Sequence, residues 1–154
     1  MPTVRGCHLP EELLYDVDNH IWYQELPDGN VKLGMTTVAT AMAGQLVAFT
    51  PRKAGRAVEA GKSCATVESG KWVGPAKTAA GGELVAVNDG LIGKPSLANE
   101  DPYVAGWMVI LKPRDWSAVK PNLIAGAQVA AKYEAKMAAD GFAGCAPAGG
   151  PGTA

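Results

Sequence analysis

Nothing in the chain approaches the run of about 18 consecutive apolar residues that a membrane-crossing helix needs, and no charged segment followed by an apolar one opens it. The expected location is the cytoplasm, with no membrane partner. An excess of charge is also missing, because 14 basic side chains are matched by 15 acidic ones. Without a polycationic face, nucleic acid is not expected as a partner either. Cysteine is sparse: Cys7, Cys64 and Cys145 are an odd number at wide spacings. Neither a disulfide framework nor a zinc cluster follows, so three free thiols and no metal site are expected.

What is present is enough for one core. A chain of 154 residues that is 47% hydrophobic predicts a single domain. Residues 1–12, with Pro2 and Pro10, read as irregular. From residue 13 to residue 113, short β-rich runs follow one another, most of them ended by Gly or Pro. They are 20–26 and 30–35 around the Asp28-Gly29 turn, then 45–50, 57–62, 64–67, 83–87 and 106–111. Thr36 and Thr37 can cap a short helix over residues 38–43, which Gly44 stops. Residues 74–82 read as a polar, alanine-rich connection, and the stretch with Pro95 and Pro102 as a loop. Many short strands at short intervals predict a mainly β sandwich or barrel instead of alternating βαβ units.

After Pro121 the pattern changes. Leu123, Ala130, Tyr133 and Met137 form an apolar stripe that predicts one amphipathic helix within 114–140, packed on the sheet. Residues 141–154 are mostly Gly, Ala and Pro and are expected to be a disordered tail. Cys145 then reads as an incidental thiol in preference to a redox-active one. Cys64, with core-like alternate neighbours, reads as buried and inert.

One lysine stands out by position. Val67-Glu68-Ser69-Gly70-Lys71-Trp72 places Lys71 just past one β-rich run and ahead of another. Val58-Glu59-Ala60-Gly61 before it and Val87-Asn88-Asp89-Gly90 after it each set a valine ahead of a turn. That weak echo suggests two half-units with Lys71 on the hairpin between them. A lysine at a hairpin tip is ordinarily a solvated charge. Acylation would turn it into a neutral amide on a long flexible arm, leaving the chemistry to the attached group.

Further short motifs fall in the order of one family: His20-Ile21-Trp22, Asp28-Gly29, Gly34-Met35-Thr36, Glu68-Ser69-Gly70-Lys71, Gly82-Glu83-Leu84, Val87-Asn88, Gly93-Lys94-Pro95 and Asp101-Pro102-Tyr103-Val104-Ala105-Gly106-Trp107. Over residues 10–113 the chain resembles the H protein of the glycine cleavage system. The resemblance implies a flattened barrel-sandwich hybrid of the lipoyl-domain kind, with a short internal helix and a C-terminal helix. It also implies a non-catalytic carrier with lipoate amide-linked to Lys71 by a lipoate-attaching enzyme. Glu68, Ser69, Gly70 and Trp72 are then the attachment motif. A biotinyl domain would be expected to show Met on both sides of its lysine, where this chain has Gly70 and Trp72.

The departures from the family concern the cleft into which the arm folds, assigned by the resemblance to His20, Ile21, Val38 and Pro75. The family shelters a cationic aminomethyl cargo there, and a buried cation needs a carboxylate or hydrogen-bond partner. Ile21, Val38 and Pro75 stand where the family has a glutamate, a histidine and an aspartate. A sulfur-bound cargo needs no carboxylate. In this the chain is similar to the H-like lipoate-binding proteins of a heterodisulfide-reductase-like sulfur oxidation system, which implies that oxidoreductase complex as partner and sulfur-bound intermediates as cargo. Glycine cleavage enzymes with an aminomethyl cargo are the alternative, and an unmodified binding module of the same fold is a second. His20 reads first as a hydrogen-bonded structural residue. Trp72 reads equally as a docking contact or as a ring folded back on the sheet, and Tyr103 and Trp107 as core.

Overall fold

A computed structural model describes residues 3–145. Strands β1 (Thr3–Val4) and β2 (Cys7–His8) form a small hairpin turned by Arg5 and Gly6, both at positive φ. There follow β3 (Leu14–Asp16), β4 (Ile21–Glu25), β5 (Val31–Met35), helix α1 (Thr37–Ala43), β6 (Leu46–Pro51), β7 (Ala57–Val58), β8 (Ser63–Ser69), β9 (Val73–Lys77) and β10 (Gly82–Val87). Helices α2 (Asp89–Gly93) and α3 (Leu97–Glu100) lead to β11 (Val109–Pro113), α4 (Trp116–Val119), β12 (Ile124–Ala125) and α5 (Val129–Asp140). One sheet runs β12-β3-β4-β5-β11-β10-β7, and a second runs β6-β8-β9. The result is the expected mainly β sandwich with a short internal helix and a C-terminal one.

Period-two alternation gives each sheet one apolar face, and the two faces meet. Ile21, Leu33, Phe49, Val67, Leu84 and Leu111 belong to that shared core. A second apolar cluster, including Val4, Cys7, Tyr15, Trp22, Val38 and Tyr133, joins the N-terminal hairpin and α5 to the larger sheet. Trp22 lies across its cross-strand partner Gly34, where a Cβ would come within 2.8 Å of the indole. Its Nε1 donates to the Pro102 carbonyl at 3.0 Å, which ties down the segment before β11.

Several expectations are corrected. The first residues are not wholly irregular, because β1 and β2 pair, and the three cysteines are not all free. Cys7 and Cys145 form a disulfide with their Cα atoms 5.0 Å apart, leaving Cys64 as the free thiol among the described residues. Residues 141–145 are not a disordered tail. Gly141 ends α5 at φ 68°, Phe142 packs on the second cluster, and the Cys145 N–H donates to the Arg5 carbonyl at 2.9 Å. Arg5, which donates to the Phe142 carbonyl, and Cys7 lie at the other end of the chain, out of reach of a local reading. The rest of that predicted tail, 146–154, lies outside the described residues.

The segment read as a connection holds β9, an edge strand, and edges are where sheets admit proline such as Pro75. The loop around Pro95 contains α2 and α3, the first capped by the Asn88 side chain accepting from Gly90 N–H. The C-terminal helix starts at Val129, so Leu123 precedes it, and it buries Val129, Tyr133 and Met137.

Candidate functional site

Strand β8 delivers the chain to a tight turn at its end. The Ser69 N–H donates to the Trp72 carbonyl at 2.7 Å, and the Ser69 hydroxyl accepts the Lys71 N–H at 3.3 Å. Ser69 is therefore buried and shapes the turn, whereas Glu68 stands exposed opposite Ala48 and Val73. Nothing lies near the space a Gly70 side chain would occupy, so Lys71 sits at an open tip between β8 and β9. Its stem passes Gly44, the residue that ends α1 at φ 88°. A Cβ on Gly44 would approach Lys71 Cε to 3.3 Å. Trp72 folds back so that its ring covers Gly74, yet it stays 41% exposed.

A cleft of about 430 Å³ begins at Lys71 and is lined by Asn19, His20, Ile21, Met35, Ala39, Met42, Ala43, Val67, Trp72, Pro75 and Ala76. Among the described residues no carboxylate lines it. Of the four residues assigned to the arm cleft, His20, Ile21 and Pro75 lie together in this lining. Val38 is not: it is 1% exposed and belongs to the second core cluster, on the flank of α1 turned towards β2 and α5. The residues of α1 that line the cleft are Ala39, Met42 and Ala43. Met42 lines the cleft where Val38 does not, and it too is apolar. The i, i+3, i+4 spacing of these three was the signal that could have identified the wall.

His20 has an unusual setting. It adopts φ 60°, its carbonyl accepts the Thr36 N–H at 3.1 Å, and its ring stacks on Tyr133 with centroids 5.7 Å apart and planes at 16°. Nδ1 lies 3.1 Å from the Tyr133 hydroxyl. Burial, and then the charge of Lys136, hold the imidazole below its ordinary pKa, with Asp140, Asp16 and Asp18 partly opposing. The contact with α5 was not visible in the sequence, where Tyr133 reads only as part of an apolar stripe. Cys64 lies away from the cleft chemistry. Its buried thiol is pushed up to about 12 and donates to the Ala76 carbonyl at 3.4 Å, which makes it a poor nucleophile.

No cluster of His, Cys, Asp or Glu able to hold a metal occurs among the described residues, and none of their helices is long and apolar enough to cross a membrane. The arrangement does fit a lipoyl group. An exposed amine at a hairpin tip is open to acylation, and an apolar cleft beginning beside it suits an eight-carbon chain ending in a dithiolane, neither of which demands a polar partner.

Comparison with known proteins agrees. The family model for the glycine cleavage H-protein matches residues 13–136. "Glycine cleavage system H protein 5" of Aquifex aeolicus is 49% identical over 128 residues, covering 80% of this chain and 86% of its own. "Probable glycine cleavage system H protein 2" of Sulfurisphaera tokodaii is 42% identical over 135 residues, with 86% and 90% covered. The crystal structure of a glycine cleavage system H protein from Mycobacterium marinum superposes with a TM-score of 0.71 at 31% identity, covering 86% of this chain and 99% of that one. Proteins of this family are non-catalytic carriers with lipoate bound covalently to a lysine. With most of its length matched by the family model, this chain belongs to the glycine cleavage H-protein family.

Proposed function

We propose that Lys71 carries the lipoate and that the chain acts as a swinging-arm carrier, acylated by a lipoate-attaching enzyme and then used as a substrate by partner enzymes. The observation that carries this is the exposed lysine at the β8–β9 tip with an apolar cleft beginning at its side chain. Residues 13–113 form the carrier domain, 114–140 brace it, and the cytoplasm is its place of work. The bound group would supply a dithiol–disulfide pair on a long tether, and the chain supplies position and shelter. Intact-mass measurement after co-expression with a lipoylation system tests the reading. A lipoyl adduct that disappears in Lys71→Ala is expected; no adduct would return the chain to an unmodified binding module, and an adduct that survives the substitution would overturn Lys71 as the attachment site.

The relatives support an aminomethyl cargo and the glycine cleavage enzymes as partners. The second reading has a specific observation in its favour: Ile21, Met42 and Pro75 leave the cleft without a carboxylate to meet a cation. That favours a sulfur-bound cargo exchanged with a heterodisulfide-reductase-like complex. Loading with glycine decarboxylase separates the two. Aminomethyl transfer as efficient as that of an ordinary H protein supports the glycine cleavage partners, and failure of a correctly lipoylated chain to load supports the sulfur cargo.

A further inference from the structure

We propose that His20 positions and selects what the arm brings into the cleft, acting as a neutral imidazole that donates from Nε2 and so favours an acceptor-bearing or anionic cargo over a cationic one. The proposal rests on the reading that the arm is attached at Lys71.

The polarity of the ring follows from a chain of hydrogen bonds that starts at a backbone group. The Ala39 N–H can only donate, and it does so to the Thr36 hydroxyl at 3.2 Å, where Thr36 caps α1. Thr36 is fully buried, and the other side-chain partner of its hydroxyl is the Tyr133 hydroxyl at 3.4 Å. Ala39 occupies one of the two lone pairs of Thr36 Oγ1, and the hydroxyl hydrogen, with the Tyr133 oxygen as its side-chain partner, is donated to Tyr133. Tyr133 then donates to His20 Nδ1 at 3.1 Å. Nδ1 is thereby an acceptor, and the ring proton sits on Nε2 of a residue that lines the cleft. The opposite polarity would have Tyr133 donate to Thr36, stranding a hydroxyl hydrogen inside the core.

Two further observations point the same way. At φ 60° the backbone of His20 lies in the left-handed region, which His enters more readily than most residues, and it is held there by the Thr36 N–H and by stacking on Tyr133. Around it the cleft offers little to a cation. The Asn19 amide donates one hydrogen to the Asp16 carboxylate at 2.8 Å, leaving its second N–H and its neutral carbonyl, and acylation would remove the charge of Lys71. The charged groups that bear on the ring are Lys136 and Asp140 on α5, and Asp16 and Asp18 on the segment between β3 and β4. None of these lines the cleft.

The test uses the full chain and nitrogen NMR of ¹⁵N-labelled histidine. In the unlipoylated protein near neutral pH, His20 is expected to show the Nε2–H tautomer, and Tyr133→Phe to convert it to a mixture. An Nδ1–H tautomer in the parent protein overturns the proposal. In the lipoylated protein, the arm is opened by dihydrolipoyl dehydrogenase with NADH and alkylated with iodoacetate, giving an anionic tip, or with 2-bromoethylamine, giving a cationic one. Intact mass verifies that Cys7–Cys145 stays closed. The anionic tip should shift the Nε2 resonance and raise the His20 pKa, whereas the cationic tip should leave both near their starting values. Equal responses, a larger response to the cation, or no response from a chain carrying the arm overturns the selection while the carrier reading stands. Absence of any adduct on Lys71 overturns the carrier reading and the cargo selection together, with the tautomer result still reporting the hydrogen-bond chain.

Discussion

Replacing Ile21 by Glu would ask the cleft to hold the carboxylate it lacks. Ile21 is 1% exposed and packs in the shared core, so losing its apolar burial costs about 2–3 kcal/mol. Desolvating a carboxylate adds to this, partly offset in the unacylated chain by Lys71, the cationic side chain among the residues lining the cleft. A total loss of about 3–5 kcal/mol leaves a protein of ordinary stability still folded. Acylating Lys71 removes the compensating charge, so Ile21→Glu should be destabilised by roughly 1–2 kcal/mol on lipoylation. Loading a cationic group on the arm should recover that loss. The burial raises the folded-state pKa of the new carboxyl above its unfolded value of about 4.3, so the charge penalty is present at neutral pH and fades on acidification. Urea unfolding of the unacylated, lipoylated and amine-tipped forms at pH 7 and pH 5 reads all of this. If the three forms of Ile21→Glu share one midpoint, the arm does not enter the cleft beside residue 21, and the cargo argument falls.

Other perturbations probe the frame around the site. Cys145→Ser removes a bond that links positions 138 residues apart. The chain-entropy estimate for such a loop is roughly 5 kcal/mol, and about 2–5 kcal/mol should appear as a lower guanidinium midpoint of the variant against the oxidised parent, with equal midpoints refuting a closed native disulfide. Gly34→Ala drives a methyl to 2.8 Å from the Trp22 indole and should cost about 1–3 kcal/mol with a change in tryptophan fluorescence. An unperturbed emission spectrum at parental stability would mean that the ring has room to move. Because burial lowers the His20 pKa, the unfolded chain binds more protons, so stability should decline as pH falls below about 6.5. His20→Asn, which tolerates the left-handed backbone, should flatten that part of the denaturation-midpoint profile, and an identical slope in both proteins would assign the proton uptake elsewhere.

The legible parts of this fold were those written in local chemistry. Asp28-Gly29 turns a hairpin because glycine accepts φ 88°, and Thr36 caps α1 because its hydroxyl accepts a backbone N–H of the first turn. The Ser69–Trp72 turn and the lysine at its tip were legible for the same reason, in that their hydrogen bonds close within four residues. What escaped depends on partners far away in sequence. The pairing of Cys7 with Cys145, the seat of Phe142 and the bond from Tyr133 to His20 each span more than 100 residues, and neither spacing nor composition carries them. Val38 failed differently. One turn of helix separates it from Met42, and an assignment by alignment alone does not say which of two apolar side chains the helix turns towards the cleft.

That error changes the weight of the cargo argument without reversing it. With Val38 in the core, the case for a cleft hostile to cations rests on Ile21, Met42 and Pro75, three side chains from β4, α1 and β9 that converge around the arm's root. Polarity there is supplied by Asn19 and by His20, and the orientation of His20 depends on α5 through Tyr133 and on α1 through Thr36. The C-terminal helix therefore does more than cover the sheet. By holding the Tyr133 hydroxyl where Thr36 and His20 meet, it sets which imidazole nitrogen carries the proton at the cleft wall. Variants of Tyr133 should therefore alter what the cleft accepts while Lys71, at the far tip, remains as open to acylation as before.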